Sequence, residues 1–231
     1  MLKLDQVALK QGEFRLEANF ALHRGITAII GPSGGGKSTL LAAIAGFLIP
    51  DRGQILWQDR DLAGLAPGAR PVAMLFQDNN LFPHLTIGQN VGLGMSAKRL
   101  SADQRNRVQD VLKQVGLPDM SDRKPNALSG GQQSRAALAR VLVQDQPLVL
   151  LDEPFSALGP GLKDEMLDLF VRVLGTEGRQ LVMVTHDPAD ARRVADQVVF
   201  VDAGTASAPI ATPAFFDSDD TAIHAYLGRA S

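Results

Sequence analysis

One stretch constrains this chain more than any other: GPSGGGKST, which follows the apolar run ITAIIG and opens a helical pattern from Lys37 to Phe47. It matches the pattern G-x-x-x-x-G-K-[ST] in the strand-to-helix context that the pattern requires. Glycines let backbone N–H groups turn towards phosphate oxygens, a lysine adds a point charge, and a hydroxyl can bind Mg²⁺. We therefore predict a nucleotide-phosphate site at Gly31, Pro32, Ser33, Gly34, Gly35, Gly36, Lys37, Ser38 and Thr39.

Short apolar strand patterns alternate with helical ones along the chain, which predicts an α/β fold with a parallel sheet and right-handed crossovers. Residues from about 78 to 146 differ, because leucine, alanine, arginine and glutamine recur there at helical spacing without a good strand. This segment is expected to be a helical insertion. The predicted strands are Phe14–Leu22, Ile26–Gly31, QILW, VAMLF, PLVLLDEP and QLVMVTH; the predicted helices include Gly161–Leu174, Pro188–Ala195 and one near Thr221–Leu227.

Composition excludes several classes of function. With 231 residues, 45% of them hydrophobic, and a net charge of −2, the chain lacks the basic surplus of general nucleic-acid binders. It has no cysteine, which excludes disulfides, thiolate metal sites and cysteine nucleophiles. The first residues, MLKLDQVALK, lack the apolar segment of a secretion signal, and no apolar run approaches 18 residues. We expect a cytoplasmic protein that does not bind nucleic acid.

Two acids end a buried strand pattern at LVLLDEP. Asp152 follows four apolar residues, so its burial alone would be costly, and coordination of Mg²⁺ would offset that cost. Glu153 is placed to orient or deprotonate an attacking water. The alternative is a strand that ends at a solvated turn. Because a phosphate-binding loop lies upstream, we predict a metal ligand and a general base.

Two more strand patterns end in polar residues. VAMLFQ ends in Gln77, whose amide can bind Mg²⁺ and accept a hydrogen bond from the attacking water, and VMVTHD contains His186, which can bind a γ-phosphate oxygen. Ligands gather at the carboxyl ends of strands in α/β sheets. The alternatives are a polar strand cap for the glutamine and a structural role for the histidine.

The phosphate loop precedes one predicted helix N-terminus, and LSGGQ precedes a second one, directly before the helical run SRAALARVLVQ. A helix N-terminus with unpaired N–H groups is a site for an anion. One nucleotide needs only one such helix N-terminus for its phosphates, so the second N-terminus requires another explanation. The residues at this N-terminus, Ser129, Gly130, Gly131 and Gln132, either bind a second anion or only cap their own helix.

The order GPSGGGKST, Gln77, LSGGQ, LLDEP, SALGP and His186 resembles the ATP-binding subunits of ABC transporters over essentially the whole chain. The resemblance implies an α/β P-loop NTPase fold with a RecA-like core, an N-terminal antiparallel β subdomain and an inserted helical subdomain. It implies one nucleotide-binding domain over residues 1–231, with its core at about 1–77 and 147–205, its helical part at 78–146 and a tail at 206–231. It also implies ATP and Mg²⁺ as ligands, and a homodimer in which LSGGQ covers the ATP of the other subunit.

Within that family the segment FQDNNLF, followed by HLT and QNVGLG, looks most like the thiamine-import ATPases. That likeness implies a peripheral protein on the cytoplasmic face of the inner membrane. Its partners would be a membrane permease, received beside Leu81, Phe82, Pro83 and Leu85, and indirectly a periplasmic binding protein. The apolar set could instead only pack the insertion. Alternatives for function are an importer of iron, molybdate, sulfate or polyamines, or a soluble ABC-type ATPase; a P-loop kinase would lack LSGGQ.

The chain departs from the family's pattern in three features. Gly159 stands in SALG where an aspartate is expected to reach the partner subunit, which puts tight coupling of the two sites in doubt. Gln133 replaces the first of two arginines after LSGGQ, leaving Arg135. Lys10 and Gln11 stand where an aromatic usually stacks on adenine; Phe14 is the nearest replacement, and looser base selection is expected.

Overall fold

The structure is a computed structural model that describes residues 1–175 and 178–228. Residues 176–177 and 229–231, which the predicted core and tail include, lie outside the described part. The strands are, in chain order, β1 (Leu2–Gln11), β2 (Phe14–Leu22), β3 (Gly25–Ile30), β4 (Arg52–Trp57), β5 (Arg60–Asp61), β6 (Val72–Leu75), β7 (Leu148–Asp152), β8 (Gln180–Val184), β9 (Gln197–Asp202), β10 (Thr205–Ala206) and β11 (Ile210–Ala211). The α-helices are α1 (Lys37–Ala45), α2 (Ile87–Gly92), α3 (Ala102–Gln114), α4 (Gly130–Leu142), α5 (Pro160–Leu174), α6 (Pro188–Val194), α7 (Thr212–Phe216) and α8 (Thr221–Tyr226).

The chain divides into two compact units, the first comprising Met1–Val72 and the chain from Gln180 onward, the second Ala73–Arg179. In the first unit, β1 pairs antiparallel with both β2 and β4. The period-2 pattern of β2 is confirmed, because Leu16, Ala18, Phe20 and Leu22 are all buried. These strands are the predicted antiparallel part of the fold.

The parallel part of the first unit is centred on β3, whose residues from Ile26 to Ile30 are buried. β8 and β9 pair with it in parallel, one on each side. β10 joins β9 to β2, so the antiparallel strands continue into the parallel ones. β9 was absent from the predicted strands, although QVVFVD has the β-branched and aromatic residues that favour a strand.

The second unit contains the predicted helical segment, and residues 78–146 hold helices and no strand. Three of its helices begin with the same device, a capping box in which a serine or threonine and the glutamine three positions later satisfy each other's backbone N–H. The sequences are TIGQ before α2, SADQ before α3 and SGGQ before α4. This unit also contains β7, of which Leu148–Leu151 are fully covered, and the neighbouring β6.

The last two helices pack against other elements of the first unit, to which they belong. α7 and α8 contribute Phe215, Phe216 and Ile223 to a cluster with Phe200 of β9. The helix predicted near Thr221–Leu227 is confirmed as α8. Over residues 1–175 and 178–228, no helix has the length and apolar character that crossing a bilayer would need.

Candidate functional site

The predicted phosphate loop connects the end of β3 to the start of α1 in the first unit. Gly31, Gly34 and Gly36 have φ angles of 149°, 78° and 105°, a region that side chains disfavour. The Lys37 ammonium donates to the carbonyl oxygens of Gly31 and Pro32, both at 2.9 Å, and its side chain is buried. The lysine thus closes the loop into a ring of backbone groups with a cation inside it.

Close packing explains two of the glycines further. A Cβ on Gly31 would lie 2.0 Å from the carbonyl oxygen of Val201 in β9. A Cβ on Gly36 would lie 2.6 Å from the Phe14 ring. The ring of Phe14 is therefore against the loop, whereas Lys10 and Gln11 are exposed. This location makes Phe14 the aromatic candidate for a base bound beside the loop.

Particular residues define the two ends of α1. The N-cap of α1 is Gly36, which has no side chain to cap the helix, so a phosphate group can approach this N-terminus directly. At the C-terminus, the Arg70 guanidinium donates to the carbonyls of Ala43 and Ile44, both at 2.8 Å. Burial lowers the pKa of Arg70, while the Asp61 carboxylate opposes this. The cation complements the negative end of the helix and anchors it.

His186 follows β8 at the same sheet edge as the phosphate loop. β3 and β8 are parallel with Ile29 opposite Val184, and the Thr185 N–H donates to the Ile29 carbonyl at 3.2 Å. The first unit therefore brings the phosphate loop and the histidine to one edge of its sheet, as parallel strands require.

The two acids lie at the end of β7 in the second unit. Asp152 is the last residue of the strand, and both acids are half-buried. Glu153 has a φ of 44°, an uncommon angle for a residue with a side chain, and its carbonyl accepts from the N–H and hydroxyl of Ser156. This turn changes the chain direction directly after the metal-ligand candidate.

Gln77 is exposed in a turn after β6, and side chains of α4 hold that turn. Asn79 and Asn80 have φ angles of 57° and 46°. The Arg140 guanidinium donates to their carbonyl oxygens, both at 2.7 Å, and the Asn79 amide donates to the Ser134 hydroxyl at 3.2 Å. Burial lowers the pKa of Arg140. Sequence reasoning missed Arg140, because no local pattern signals a contact across about 60 residues.

The LSGGQ stretch begins α4, and its serine and glutamine form the cap. The Ser129 hydroxyl accepts from the Gln132 N–H at 3.3 Å, and the Gln132 side chain accepts from the Ser129 N–H at 3.0 Å. A Cβ on Gly131 would lie 2.7 Å from a terminal methyl of Leu162, so a larger residue there would make that side chain shift. A Cβ on Gly130 meets nothing within 4 Å and its φ is not positive. Among the described residues, then, no neighbour requires a glycine at position 130.

The unusual Gln133 has a structural role of its own. Its amide donates to the carbonyls of Pro125 and Leu128, at 3.0 and 3.2 Å, and so holds the segment in front of LSGGQ. Arg135 donates to the Val115 carbonyl and pairs with Glu165.

A groove of about 700 Å³ lies between α2 and α3 in the second unit. Leu85 and Val108 supply apolar lining, while Lys98, Arg105 and Asp122 supply charge. The loop beside it is held by the buried Asn90, which bonds to both the N–H and the carbonyl of Phe82. Phe82 itself is 46% exposed.

Within residues 1–175 and 178–228, no group of three or more histidine and acidic side chains is arranged to hold a metal ion alone. A cation here would need hydroxyl, amide or phosphate oxygens as well.

Comparison with known proteins decides the family. The family model described as ABC transporter matches residues 17–156, more than half of the chain. The chain belongs to the ABC transporter family. Its α/β P-loop NTPase fold agrees with that of solved cassettes of the family. The ATP-binding cassette MJ0796, in a dimeric post-hydrolysis state bound to ADP and Pi, aligns with a TM-score of 0.76 at 30% identity, covering 92% of this chain and 99% of that one.

Two further comparisons are informative about this ABC chain. CbiO1 from Clostridium perfringens, part of the ABC transporter complex cbiONQ, aligns with a TM-score of 0.82 at 29% identity, over 94% of this chain and 90% of that one. The thiamine import ATP-binding protein ThiQ of Cereibacter sphaeroides is 55% identical over 230 residues, covering 99% of this chain and 100% of the relative. ThiQ of Vibrio cholerae is 48% identical over 206 residues, covering 88% and 87%.

Proposed function

We propose that this chain is the ATP-hydrolysing subunit of an ABC importer and that the importer carries thiamine or its phosphates. The observation that carries the proposal is full-length similarity, at 55% identity, to a thiamine import ATP-binding protein. The phosphate loop with its enclosed Lys37 supports ATP as the substrate. The domain stays one nucleotide-binding domain in this proposal, with the core, helical part and tail as predicted above.

ATP binds, in this proposal, through the loop from Gly31 to Thr39. The loop has the chemistry of a phosphate cradle: glycines with positive φ and a helix N-terminus that lacks a side-chain cap. Mg²⁺ fits the proposed donors, because a hydroxyl of Ser38, an amide oxygen of Gln77 and a carboxylate of Asp152 are the hard oxygen ligands that this ion prefers. When bound, Mg²⁺ neutralises charge that develops on the phosphates.

Hydrolysis uses three side chains in the proposal. Glu153 is the general base that takes a proton from water, Gln77 orients that water, and His186 donates to a γ-phosphate oxygen. General-base catalysis contributes about 10²–10⁴-fold to a rate. The turn after Glu153 supports its role, because bonds from Ser156 to the Glu153 carbonyl hold the backbone from which the carboxylate extends.

The functional unit is a homodimer in this proposal, in which Ser129, Gly130, Gly131 and Gln132 of one subunit meet the ATP of the other. Gly130 supports this, since no described neighbour requires a glycine at this first position of α4. The open space at the N-terminus of α4 leaves room for a ligand from outside the chain. The Ser129 hydroxyl accepts one bond in the cap and keeps its proton to donate to a phosphate.

The permease binds, in the proposal, at the groove between α2 and α3 and at the exposed Phe82. A mixed apolar and charged concavity of about 700 Å³ suits a short amphipathic segment of a partner. This places the chain on the cytoplasmic face of the inner membrane, with a periplasmic binding protein as an indirect partner.

Uptake of labelled thiamine in a strain lacking the gene tests the proposal. Wild-type protein should restore uptake, and Glu153→Gln should lower both uptake and ATP hydrolysis by about 10²-fold or more. Glu17→Gln is the matched control, because Glu17 is exposed and pairs weakly with Arg52 at 3.9 Å. If the Glu153→Gln protein restored uptake as fully as the wild-type protein, Glu153 would not be the general base. If the wild-type protein hydrolysed ATP but did not restore thiamine uptake, the assigned solute would be wrong.

A further inference from the structure

The backbone around His186 is tied down on both sides. The Thr185 hydroxyl donates to the buried Asp190 carboxylate at 2.7 Å, and the Asp187 N–H donates to the Thr185 hydroxyl at 3.1 Å. The Asp187 side chain caps α6 by accepting from the Ala189 N–H at 2.9 Å. His186 is therefore the exposed middle residue of a short segment whose two neighbours are held by α6.

A fourth tie comes from the far end of the chain. The Tyr226 hydroxyl, at the end of α8, donates to the carbonyl oxygen of His186 at 3.1 Å. The Tyr226 ring is half-buried against Phe200, with ring centroids 5.4 Å apart. The ring and the hydroxyl therefore make separable contacts, one with the core of the first unit and one with the histidine segment.

α8 is itself well anchored, so it can hold something else. The Asp220 carboxylate caps it through the Ala222 and Ile223 N–H groups, and Ile223 is buried in the cluster with Phe200. The His224 ring bonds to the Ser218 carbonyl at 2.7 Å. Neither the cap nor the ring packing needs a phenolic hydroxyl, since phenylalanine would bury the same ring. The hydrogen bond described above joins this hydroxyl to the His186 carbonyl oxygen.

We propose that Tyr226 is a positioning residue for hydrolysis: its hydroxyl holds the His186 backbone so that the imidazole stays in place for the γ-phosphate. This inference rests on the proposed function of His186. It makes the last described helix a support of the ATP site rather than a passive end of the fold, and it links α8 to catalysis through one hydrogen bond.

Kinetics of Tyr226→Phe test the inference, because this change removes the hydroxyl and keeps the ring. The loss of one hydrogen bond corresponds to about a 2- to 10-fold lower kcat, with KM for ATP unchanged. The same change made in a His186→Ala background should have no further effect on residual hydrolysis. His224→Gln is the matched control on the same helix, since it alters a tie that does not reach His186, and it should leave kcat unchanged.

Fluorine NMR adds a readout independent of turnover. Tyr226 is the chain's single tyrosine, so 3-fluorotyrosine labels this position alone. Its resonance should shift when Mg-ATP is added to the Glu153→Gln variant, and the shift should vanish when His186→Ala is added. Equal effects of Tyr226→Phe with and without His186, or a resonance indifferent to His186, would overturn the inference. A wild-type protein that binds no ATP would instead overturn the proposed function.

Discussion

At the scale of single residues, Arg140 connects two segments that are far apart in the sequence. Arg140 belongs to the helix that begins at LSGGQ, yet its guanidinium holds the carbonyls of Asn79 and Asn80, two and three positions after Gln77. The turn that carries the water-orienting candidate Gln77 is thus held by α4. A charged group that donates two bonds in a partly buried setting is costly to lose, because the carbonyls lose their charged partner.

Replacement of Arg140 by methionine tests this dependence. We expect the free energy of unfolding to fall by about 1.5–3 kcal/mol, the range for hydrogen bonds to charged groups. We also expect kcat for ATP hydrolysis to fall, since the Gln77 turn loses its support. Chemical denaturation and steady-state hydrolysis measure the two effects. Arg107→Met, on the exposed face of α3, is the control; an Arg140→Met protein with unchanged kcat would separate the turn from catalysis.

At the scale of elements, α5 lacks an N-terminal cap that its neighbours possess. Gly159 is its N-cap, with φ −65° and ψ 157°, and no described side chain caps the helix. α2, α3 and α4 each carry a capping box instead. The backbone at Gly159 suits an aspartate, and a Cβ there meets nothing within 4 Å. The departure at this position is therefore not imposed by packing within the chain.

Gly159→Asp should stabilise the protein. A side-chain cap gives a few tenths of a kcal/mol over glycine, a negative charge at a helix N-terminus adds about 0.3–1 kcal/mol, and the unfolded chain loses freedom. A gain of about 1 kcal/mol raises the melting temperature by about 2–4 °C. We also expect a higher Hill coefficient for ATP hydrolysis. Gly159→Asn supplies the cap without the charge, so an equal Hill coefficient in both variants would deny the carboxylate any role between subunits.

Most elements could be predicted from the sequence because their signals are local. The alternation in β2, the apolar runs of β3, β7 and β8, and the glycine-to-lysine loop before α1 are each complete within ten residues. The Tyr226 and Arg70 contacts could not be predicted, because their partners are 40 and 27 residues away and have no local pattern. The capping box in LSGGQ was readable from its serine and glutamine spacing, and it shows that these residues also serve their own helix.

At the scale of the whole molecule, we propose that two copies of this chain share each ATP site. The chain's own folding accounts for Ser129 and Gln132 through the cap, and Gly131 packs closely against the Leu162 side chain. It does not account for Gly130. A larger side chain at position 130 should therefore be tolerated by the isolated fold and should obstruct only a ligand that approaches from outside.

Sizing of the Glu153→Gln protein with Mg-ATP, with and without Gly130→Glu, tests this claim most directly. Glu153→Gln alone should form a nucleotide-dependent dimer, because slow hydrolysis preserves ATP. Adding Gly130→Glu should leave the melting temperature of the free chain intact and ATP still bound, yet leave the protein monomeric, since its carboxylate repels the partner's phosphate. Gly68→Glu, at another open glycine, should keep the dimer. A dimer that persists with Gly130→Glu, or that never forms with Glu153→Gln, would contradict the shared site.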